Sequence, residues 1–403
     1  MEKFTEIKGG ITAPLGFTAS GIYAGIKATN KTKRDIAVIF SEVPCVAAGK
    51  FTTNQVKAAP VKVSIKNVKN KQAYAIIANS GNANACTGVR GVEDAKKMIS
   101  ATAKALGVKD SEVLICSTGR IGVFMPIQKI EEGITKAVKK LSRNGSKDAA
   151  EAIMTSDSCK KEVALSFQIN GKRVTIGAIA KGAGMIDPNM ATMLCFITTD
   201  ASIDKKSLDR ALGIAVEQSF NSITVDGDMS TNDTVLLLAN GLAENEALTP
   251  AHPEFSKFQN ALNTITRKLA LMIVADGEGI SRVVEVVVKG ASSHRDAKLA
   301  AESVANSSLV KCAWCGGDPN WGRIMDAIGY SSAKIKEECV DIYYDGSCAV
   351  QNGIVSKTPV EKLRKIVKKP RFTITINLHL GSGEHTVYAS DITEKYVELN
   401  KSE

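Results

Sequence analysis

The sequence is poor in aromatic side chains, which make up 5% of its 403 residues. Nucleic-acid bases stack on aromatic rings, so a protein with few of them offers few platforms for single strands. The net charge of +10 comes mostly from lysines scattered along predicted helices, such as Lys136, Lys139 and Lys140. We therefore interpret the positive charge as a solvated surface and predict no nucleic-acid partner.

Long hydrophobic runs are also missing. No uninterrupted apolar stretch reaches the roughly 18 residues that a membrane span needs, and the segment 1–8 lacks the apolar core of a secretory signal. We therefore expect a cytoplasmic protein with no membrane partner.

The nine cysteines are an odd number and lie mainly in apolar or mixed runs, which is typical of reduced thiols and not of a disulfide framework. Cys312 and Cys315 form a Cys-x-x-Cys pair, and no second pair stands at zinc-finger spacing. We expect ordinary buried thiols at these two positions, and neither a resident metal nor a cofactor.

The most informative stretch is 181–198. A glycine loop follows the strand-like run Val174–Ile179, and Thr192 stands directly before the apolar run Met193–Ile197. That run is short enough for a strand buried on both faces. If the bond between Ala191 and Thr192 broke, Thr192 would gain an α-amine with an ordinary pKa of roughly 7.7–8.0. This amine could act as the base for the hydroxyl of the same residue.

The local pattern alone leaves a plainer interpretation open. A Gly-Ala-Gly turn that enters a buried strand performs no chemistry in most proteins, so a structural turn is the simpler choice. A dinucleotide-binding loop does not fit, because the segment 182–187 lacks the third glycine and a helical continuation.

Two further stretches predict loops that gather polar groups. The run Glu112–Cys116 predicts a strand that ends in the small polar loop 117–119, where backbone N–H groups could face a developing negative charge. The loop 226–233 contains three carboxylates and a glycine but has no Glu at the twelfth position of a calcium loop. We interpret it as a structural turn and not as a metal site.

The segment 181–194, with the sequence KGAGMIDPNMATML, resembles the self-processing segment of the glutamate N-acetyltransferase/ornithine acetyltransferase family of arginine biosynthesis. Eight other blocks agree with this family in the same order along nearly the whole chain. They are 13–21, 51–56, 79–88, 117–119, 154–157, 226–233, 276–279 and 318–323. The four histidines all lie outside these blocks, which favours a nucleophile that carries its own base over a Ser/His/Asp arrangement.

The resemblance implies an α/β fold, a layered α/β/β/α sandwich of the ornithine acetyltransferase/DmpA-like type. We expect a main catalytic α/β domain over 1–290 and a smaller C-terminal α/β domain over 291–403. Self-cleavage would separate an α chain, 1–191, from a β chain, 192–403. We expect the two chains to stay together and to assemble as an α2β2 heterotetramer.

The resemblance also implies the activity, a transfer of acetyl from N2-acetylornithine to glutamate through an acetyl group on Thr192. Thr118 and Gly119 would form the oxyanion hole, and Ala191 would precede the cleaved bond. The positions that match the family's substrate contacts are Thr155, Lys181, Thr192, Glu278 and Asn400. Some members also acetylate glutamate with acetyl-CoA as co-substrate, and the sequence leaves that activity open here.

One departure from the family and two alternative functions remain. The family usually ends with Asn followed five residues later by Ser or Thr, whereas this chain ends soon after Asn400, so the last contact is missing or is moved to Ser402. The first alternative is an N-terminal-nucleophile aminopeptidase or amidase, in which water replaces glutamate as acceptor. The second is a non-catalytic basic binding protein that never cleaves itself.

Overall fold

The computed structural model describes residues 4–27, 32–187 and 193–401. The strands are β1 Thr5–Glu6, β2 Phe17–Ile22, β3 Ile36–Phe51, β4 Ala73–Asn82, β5 Val113–Arg120, β6 Lys161–Ile169, β7 Lys172–Lys181, β8 Leu194–Thr199, β9 Ile223–Thr224, β10 Thr234–Ala239, β11 Val283–Ala291, β12 Asp341–Tyr344, β13 Ser347–Gln351, β14 Ile354–Val355, β15 Arg371–Asn377 and β16 Gly383–Ser390. The α-helices are α1 Ala59–Asn67, α2 Gly88–Leu106, α3 Ile127–Lys139, α4 Ser146–Ile153, α5 Lys205–Glu217, α6 Phe255–Ala275, α7 His294–Asn306, α8 Ser308–Gly316, α9 Trp321–Gly329, α10 Val360–Val367 and α11 Glu394–Leu399. Within these ranges, no helix has the length and apolar character to cross a membrane.

The chain divides into two compact units. Unit 1 consists of the segments Met1–Gly182, Asn189–Asn221 and Met229–Ile273, and unit 2 consists of Ala183–Pro188, Ser222–Asp228 and Val274–Glu403. Each unit is defined by the contacts that its residues make with one another. The predicted domains, 1–290 and 291–403, stay a prediction about the folding of the chain.

Unit 1 is built on a nine-stranded sheet in the order β1-β6-β7-β8-β10-β3-β4-β5, with β2 also paired to β3. The 16-residue strand β3 joins its two halves: Ile36–Ser41 pairs with β2, and Val46–Phe51 pairs with β10. The apolar run alone indicates only its first five residues. The strand continues past Pro44 because a register shift between Phe40 and Cys45 accommodates the residue that cannot donate to the ladder.

The two halves of this sheet face each other across one buried cluster. Ile39, Ile76 and Leu114 come from one half, and Ile179 and Phe196 from the other. Helices α2 and α3 cover the outer face of β2–β5, where a second buried cluster lies. Helix α5 packs on β3, and α6 donates a side-chain hydrogen bond to α5. Unit 1 thus has helices outside two sheet layers, and the predicted layered α/β fold is confirmed.

Unit 2 contains a seven-stranded sheet in the order β14-β13-β12-β15-β11-β16-β9. Strand β11, which lies between β15 and β16, alternates buried and half-buried residues, as a strand with one covered face does. The buried valines Val284, Val286 and Val288 pack in the same cluster as Ala297 and Ala301 of α7. Burial of this apolar surface holds α7 against the sheet.

Candidate active site

The predicted oxyanion residues lie inside a strand and not in a loop after it. Strand β5 continues through Thr118 and Gly119 to Arg120, because it pairs in parallel with β4 along its whole length. In this register Ser80 lies opposite Thr118, and Gly81 lies opposite Gly119. The expectation that the strand ends before these residues is therefore wrong. The small residues at 118 and 119 allow β4 and β5 to approach each other closely.

Gly119 could not be replaced by a larger residue without moving the backbone. It has a φ of 129°, a value that favours glycine, and a Cβ atom would lie 2.4 Å from the backbone carbon of Gly81. The backbones of β4 and β5 are thus in close contact at Gly119, and the pairing fixes the positions of its peptide groups. Fixed peptide N–H groups are suited to stabilise a developing oxyanion.

Lys181 is buried beside Thr118. The lysine is the last residue of β7, is only 2% exposed, and its Nζ lies 3.4 Å from Thr118 Oγ1. It pairs with Leu194, the first residue of β8. Without the family motif a surface charge would be expected at position 181. The structure instead places an ammonium group inside unit 1, next to a predicted oxyanion donor.

Asp157 connects this lysine to other residues of the site. Its Oδ1 accepts hydrogen bonds from Lys161 Nζ and from the Gly182 N–H, both at 2.7 Å, and its Oδ2 accepts the Thr155 N–H at 2.9 Å. The side chains of Asp157 and Lys161 are fully buried. One carboxylate therefore holds the loop of Thr155, a strand lysine and the residue after Lys181.

The Asp157 carboxyl group is ionised at neutral pH. Burial alone would raise the pKa of this carboxyl, but the charges of Lys181 and Lys161 and the Gly182 hydrogen bond outweigh it and lower the pKa to about 2. Its contribution to folding stability is complete above the unfolded pKa of roughly 4 and is lost as the pH falls toward 2.

We predict that Asp157→Asn lowers the free energy of unfolding by roughly 3–5 kcal/mol, because it removes the buried negative charge that accepts from the Lys161 ammonium group. The double variant Asp157→Asn/Lys161→Met should recover most of this loss. Urea unfolding monitored by circular dichroism measures both. A single variant as stable as the original chain would contradict the prediction.

A second buried carboxyl holds the chain just after Thr192. Asp233 is fully buried, and its Oδ1 accepts the Met193 N–H at 2.9 Å. Burial raises the pKa of Asp233 well above its usual value, although the Met193 hydrogen bond and the charge of Lys181 oppose the shift. The fold therefore favours the protonated form of this carboxyl more than water does, and its Oδ1 is the acceptor of the Met193 N–H.

A raised pKa means that this group favours folding most below its unfolded pKa of roughly 4, and less as the pH rises above it. Asp233→Asn keeps an acceptor for Met193 and has no proton to lose. We predict that the stability of this variant relative to the original chain increases between about pH 5 and pH 8. Thermal unfolding at both pH values tests this, and parallel pH profiles for the two proteins would contradict it.

Unit 2 brings together the other two predicted substrate contacts. Asn400, which follows α11, donates from Nδ2 to Glu278 Oε2 at 3.0 Å. The Glu278 N–H donates to the Ala183 carbonyl at 2.9 Å, and a Cβ on Gly184 would lie 2.5 Å from the Glu278 carboxyl group. Glycine at 184 therefore leaves space for this carboxylate.

The loop 183–187 of unit 2 is held by Asp226. The N–H groups of Met185 and Ile186 donate to the two oxygens of this carboxylate, at 2.6 and 2.8 Å. Asp187 accepts from Asn306 Nδ2 at 2.9 Å, and burial raises the pKa of Asp187 to about 6. Asp226, the first residue of the block 226–233, thus binds the backbone of the glycine loop.

Several predicted positions lie outside the described residues. These are the cleavage residue Ala191, the nucleophile Thr192 and Ser402, together with Pro188 and Asn189 of the predicted turn. The residues that the structure does describe form two groups, with Thr118, Gly119, Thr155 and Lys181 in unit 1 and Glu278 and Asn400 in unit 2.

Sequence reasoning missed Asp157, Lys161 and Asp233 as parts of the site. Two of these lie in matched blocks, 154–157 and 226–233, so block membership was the available signal. The expectation of buried thiols at the Cys-x-x-Cys pair is also wrong, since Cys312 is exposed and Cys315 is partly exposed.

Comparison with known proteins decides the family. A model described as the ArgJ family matches residues 18–402. The chain belongs to the ArgJ family. The arginine biosynthesis bifunctional protein ArgJ of Caldanaerobacter subterraneus subsp. tengcongensis is 45% identical, with 98% of each chain covered. A protein named glutamate N-acetyltransferase from Methanocaldococcus jannaschii is 47% identical, also over 98% of each chain.

A solved ArgJ structure agrees with this assignment. The crystal structure of the arginine biosynthesis bifunctional protein ArgJ from Bacillus halodurans is 40% identical and superimposes with a TM-score of 0.50, covering 52% of this chain and 98% of that one. The predicted family and the predicted enzyme class, a glutamate N-acetyltransferase of arginine biosynthesis, are confirmed. The predicted role of each ArgJ-family site residue stays a prediction.

Proposed function

We propose that this protein moves an acetyl group from N2-acetylornithine to glutamate through an acetyl ester on Thr192. The observation that carries the proposal is the buried pair of Lys181 and Thr118, 3.4 Å apart, at the strand position paired with Leu194. A threonine hydroxyl and a lysine ammonium group thus lie near the start of β8, the strand that Thr192 precedes by two residues in the sequence. The name of the Methanocaldococcus jannaschii relative, glutamate N-acetyltransferase, supports glutamate as the acetyl acceptor.

Self-cleavage comes first in this scheme. The Thr192 hydroxyl attacks the Ala191 carbonyl, the peptide bond breaks, and the acyl group passes to the Thr192 oxygen as an ester while the nitrogen takes a proton. Water then hydrolyses the ester. The α-amine of Thr192 is now free, and the chains 1–191 and 192–403 exist as separate polypeptides.

Acetyl transfer follows in two half-reactions. The Thr192 hydroxyl, with the α-amine as base, attacks the acetyl carbonyl of N2-acetylornithine, and ornithine leaves with the proton on its nitrogen. The amine of glutamate then attacks the acetyl ester and leaves as N-acetylglutamate. One carbonyl site serves both steps, so Thr118 and Gly119 stabilise each tetrahedral oxyanion in the same place.

Charge complementarity assigns the remaining contacts. Lys181 pairs with a substrate carboxylate, and the carboxylate of Glu278, oriented by Asn400, pairs with an amine of ornithine. Thr155 supplies a further substrate contact from its loop. We also propose that acetyl-CoA is a second acetyl donor, because the Caldanaerobacter relative is named a bifunctional protein. The same proposal includes the α2β2 assembly and the cytoplasmic location.

We predict that the purified protein converts N2-acetylornithine and glutamate to ornithine and N-acetylglutamate. The assay is repeated with acetyl-CoA and glutamate, and with N2-acetylornithine and water alone. Mass spectrometry distinguishes the three reactions, because the two transfers give N-acetylglutamate with either ornithine or CoA, whereas hydrolysis gives ornithine and free acetate. Release of free acetate without glutamate-dependent transfer would contradict the proposal and support an amidase.

Thr192→Ala should leave one uncut polypeptide without acetyl-transfer activity, because the hydroxyl is needed in both reactions. Thr192→Ser keeps a hydroxyl and serves as the matched control, which should still cleave itself. A denaturing gel and the transfer assay measure both effects. Full activity of the alanine variant would contradict the mechanism, and an uncut, inactive original chain would favour a non-catalytic binding protein.

A further inference from the structure

Two consecutive buried residues, Asn232 and Asp233, contact the two stretches of chain that the reaction must hold together. They lie directly before β10 and are 4% and 0% exposed. Both residues belong to the block 226–233, which the sequence predicts to be a structural turn. Their hydrogen bonds give them a more specific place in unit 1.

Asn232 binds the backbone of β5 at Ser117, next to the predicted oxyanion residues. Its Nδ2 donates to the Ser117 carbonyl at 2.8 Å and to the Ala83 carbonyl at 2.7 Å. Its Oδ1 accepts from Thr231 Oγ1 at 2.6 Å, so the amide orientation is set on both sides. Ser117 directly precedes Thr118, which means that one amide group fixes the peptide leading into the oxyanion residues.

Asp233 holds the start of β8. The Met193 N–H donates to its Oδ1 at 2.9 Å, and the Met193 carbonyl accepts from the N–H of Thr234 at 3.1 Å. The Asp233 carbonyl in turn accepts the Thr52 N–H at 3.0 Å, which anchors the backbone of Asp233 itself. Met193, the residue after the nucleophile in sequence, is therefore fixed through both its N–H and its carbonyl group.

We propose that Asn232 and Asp233 act as a clamp, a pair of positioning residues that sets the distance between the oxyanion-binding end of β5 and the chain that follows the nucleophile. The proposal rests on the proposed function. Oxyanion donors work only within about 2.7–3.1 Å of the developing charge, and a shift of about 1 Å in the geometry costs roughly 10²-fold in rate. Asn232 and Asp233 are consecutive residues, and their backbone is anchored to Thr52 and leads directly into β10, so the link between the two stretches is short.

A merely structural role would also predict that these residues matter, because any buried carbonyl that loses its donor costs free energy. Asn245 provides the matched control. It is 6% exposed, lies beyond the opposite end of β10, and donates from Nδ2 to two carbonyls, those of Ser202 and Glu246, at 3.1 and 2.7 Å. Asn232→Ala and Asn245→Ala each remove one buried amide with two donated hydrogen bonds.

The experiment compares these two variants in the full chain. Self-cleavage is followed over time on denaturing gels, kcat and KM for N2-acetylornithine and glutamate are measured on the cleaved protein, and the melting temperature is measured for both. We expect similar losses of melting temperature. Only Asn232→Ala should slow self-cleavage and lower kcat, each by roughly 10²-fold, with little change in KM.

Two further variants keep the test decisive. Asn232→Ser retains one donor and serves where the alanine variant fails to fold; it should show the same effects at smaller size. Asp233→Asn retains the acceptor for Met193 and should recover most of the kcat that Asp233→Leu loses.

Equal kcat and cleavage rates for the Asn232 and Asn245 variants would overturn the clamp while leaving the acetyl-transfer proposal intact. Absence of acetyl transfer by the original chain would overturn only the proposed function, because self-cleavage still reports on the clamp.

Discussion

The carboxylate of Asp157 is the interaction on which the site in unit 1 depends most. It is fully buried and accepts three hydrogen bonds, from Lys161, Gly182 and Thr155. A buried charge is costly unless its oxygens are satisfied and opposite charges lie near it. Here two lysines supply that charge, so burial of the carboxylate requires burial of Lys161 and Lys181 as well. Neutralising the buried Asp157 carboxylate thus places Lys181 next to Thr118.

A second constraint acts on the chain at the start of β8. This strand pairs with β7 on one side and β10 on the other, so Leu194 has fixed neighbours, Lys181 and Thr234. The Asp233 carboxyl fixes one further residue, Met193, by accepting its N–H. The pKa values of the two carboxyls are shifted in opposite directions for a physical reason: Asp157 lies beside two buried lysines, whereas the burial of Asp233 is compensated less strongly.

The sequence predicted the parts of this arrangement that depend on local pattern. The apolar run before Thr198 predicted β8, and the matched blocks predicted Thr118, Gly119 and Lys181 as neighbours in one site. It did not predict that β5 runs through Gly119, because the pairing with β4 that extends the strand is a contact between distant segments. The burial of Lys181 was missed for the same reason. A lysine that ends a strand is ordinarily exposed, and here the nearby Asp157 carboxylate, which is distant in sequence, explains its burial. Likewise, nothing local in the block 226–233 indicates that Asp226 serves the glycine loop of unit 2 while Asp233 serves β8 in unit 1.

The central claim is that a hydroxyl group at a newly formed chain start carries the acetyl group. Its most direct test is to incubate the protein with N2-acetylornithine in the absence of glutamate, quench it with acid and analyse its peptides by mass spectrometry. We predict one acetyl group on the peptide that begins with Thr192, which hydroxylamine removes as it removes an ester and which glutamate removes before quenching. An active sample in which that peptide stays unmodified, or in which the chain is a single uncut polypeptide, would contradict the account.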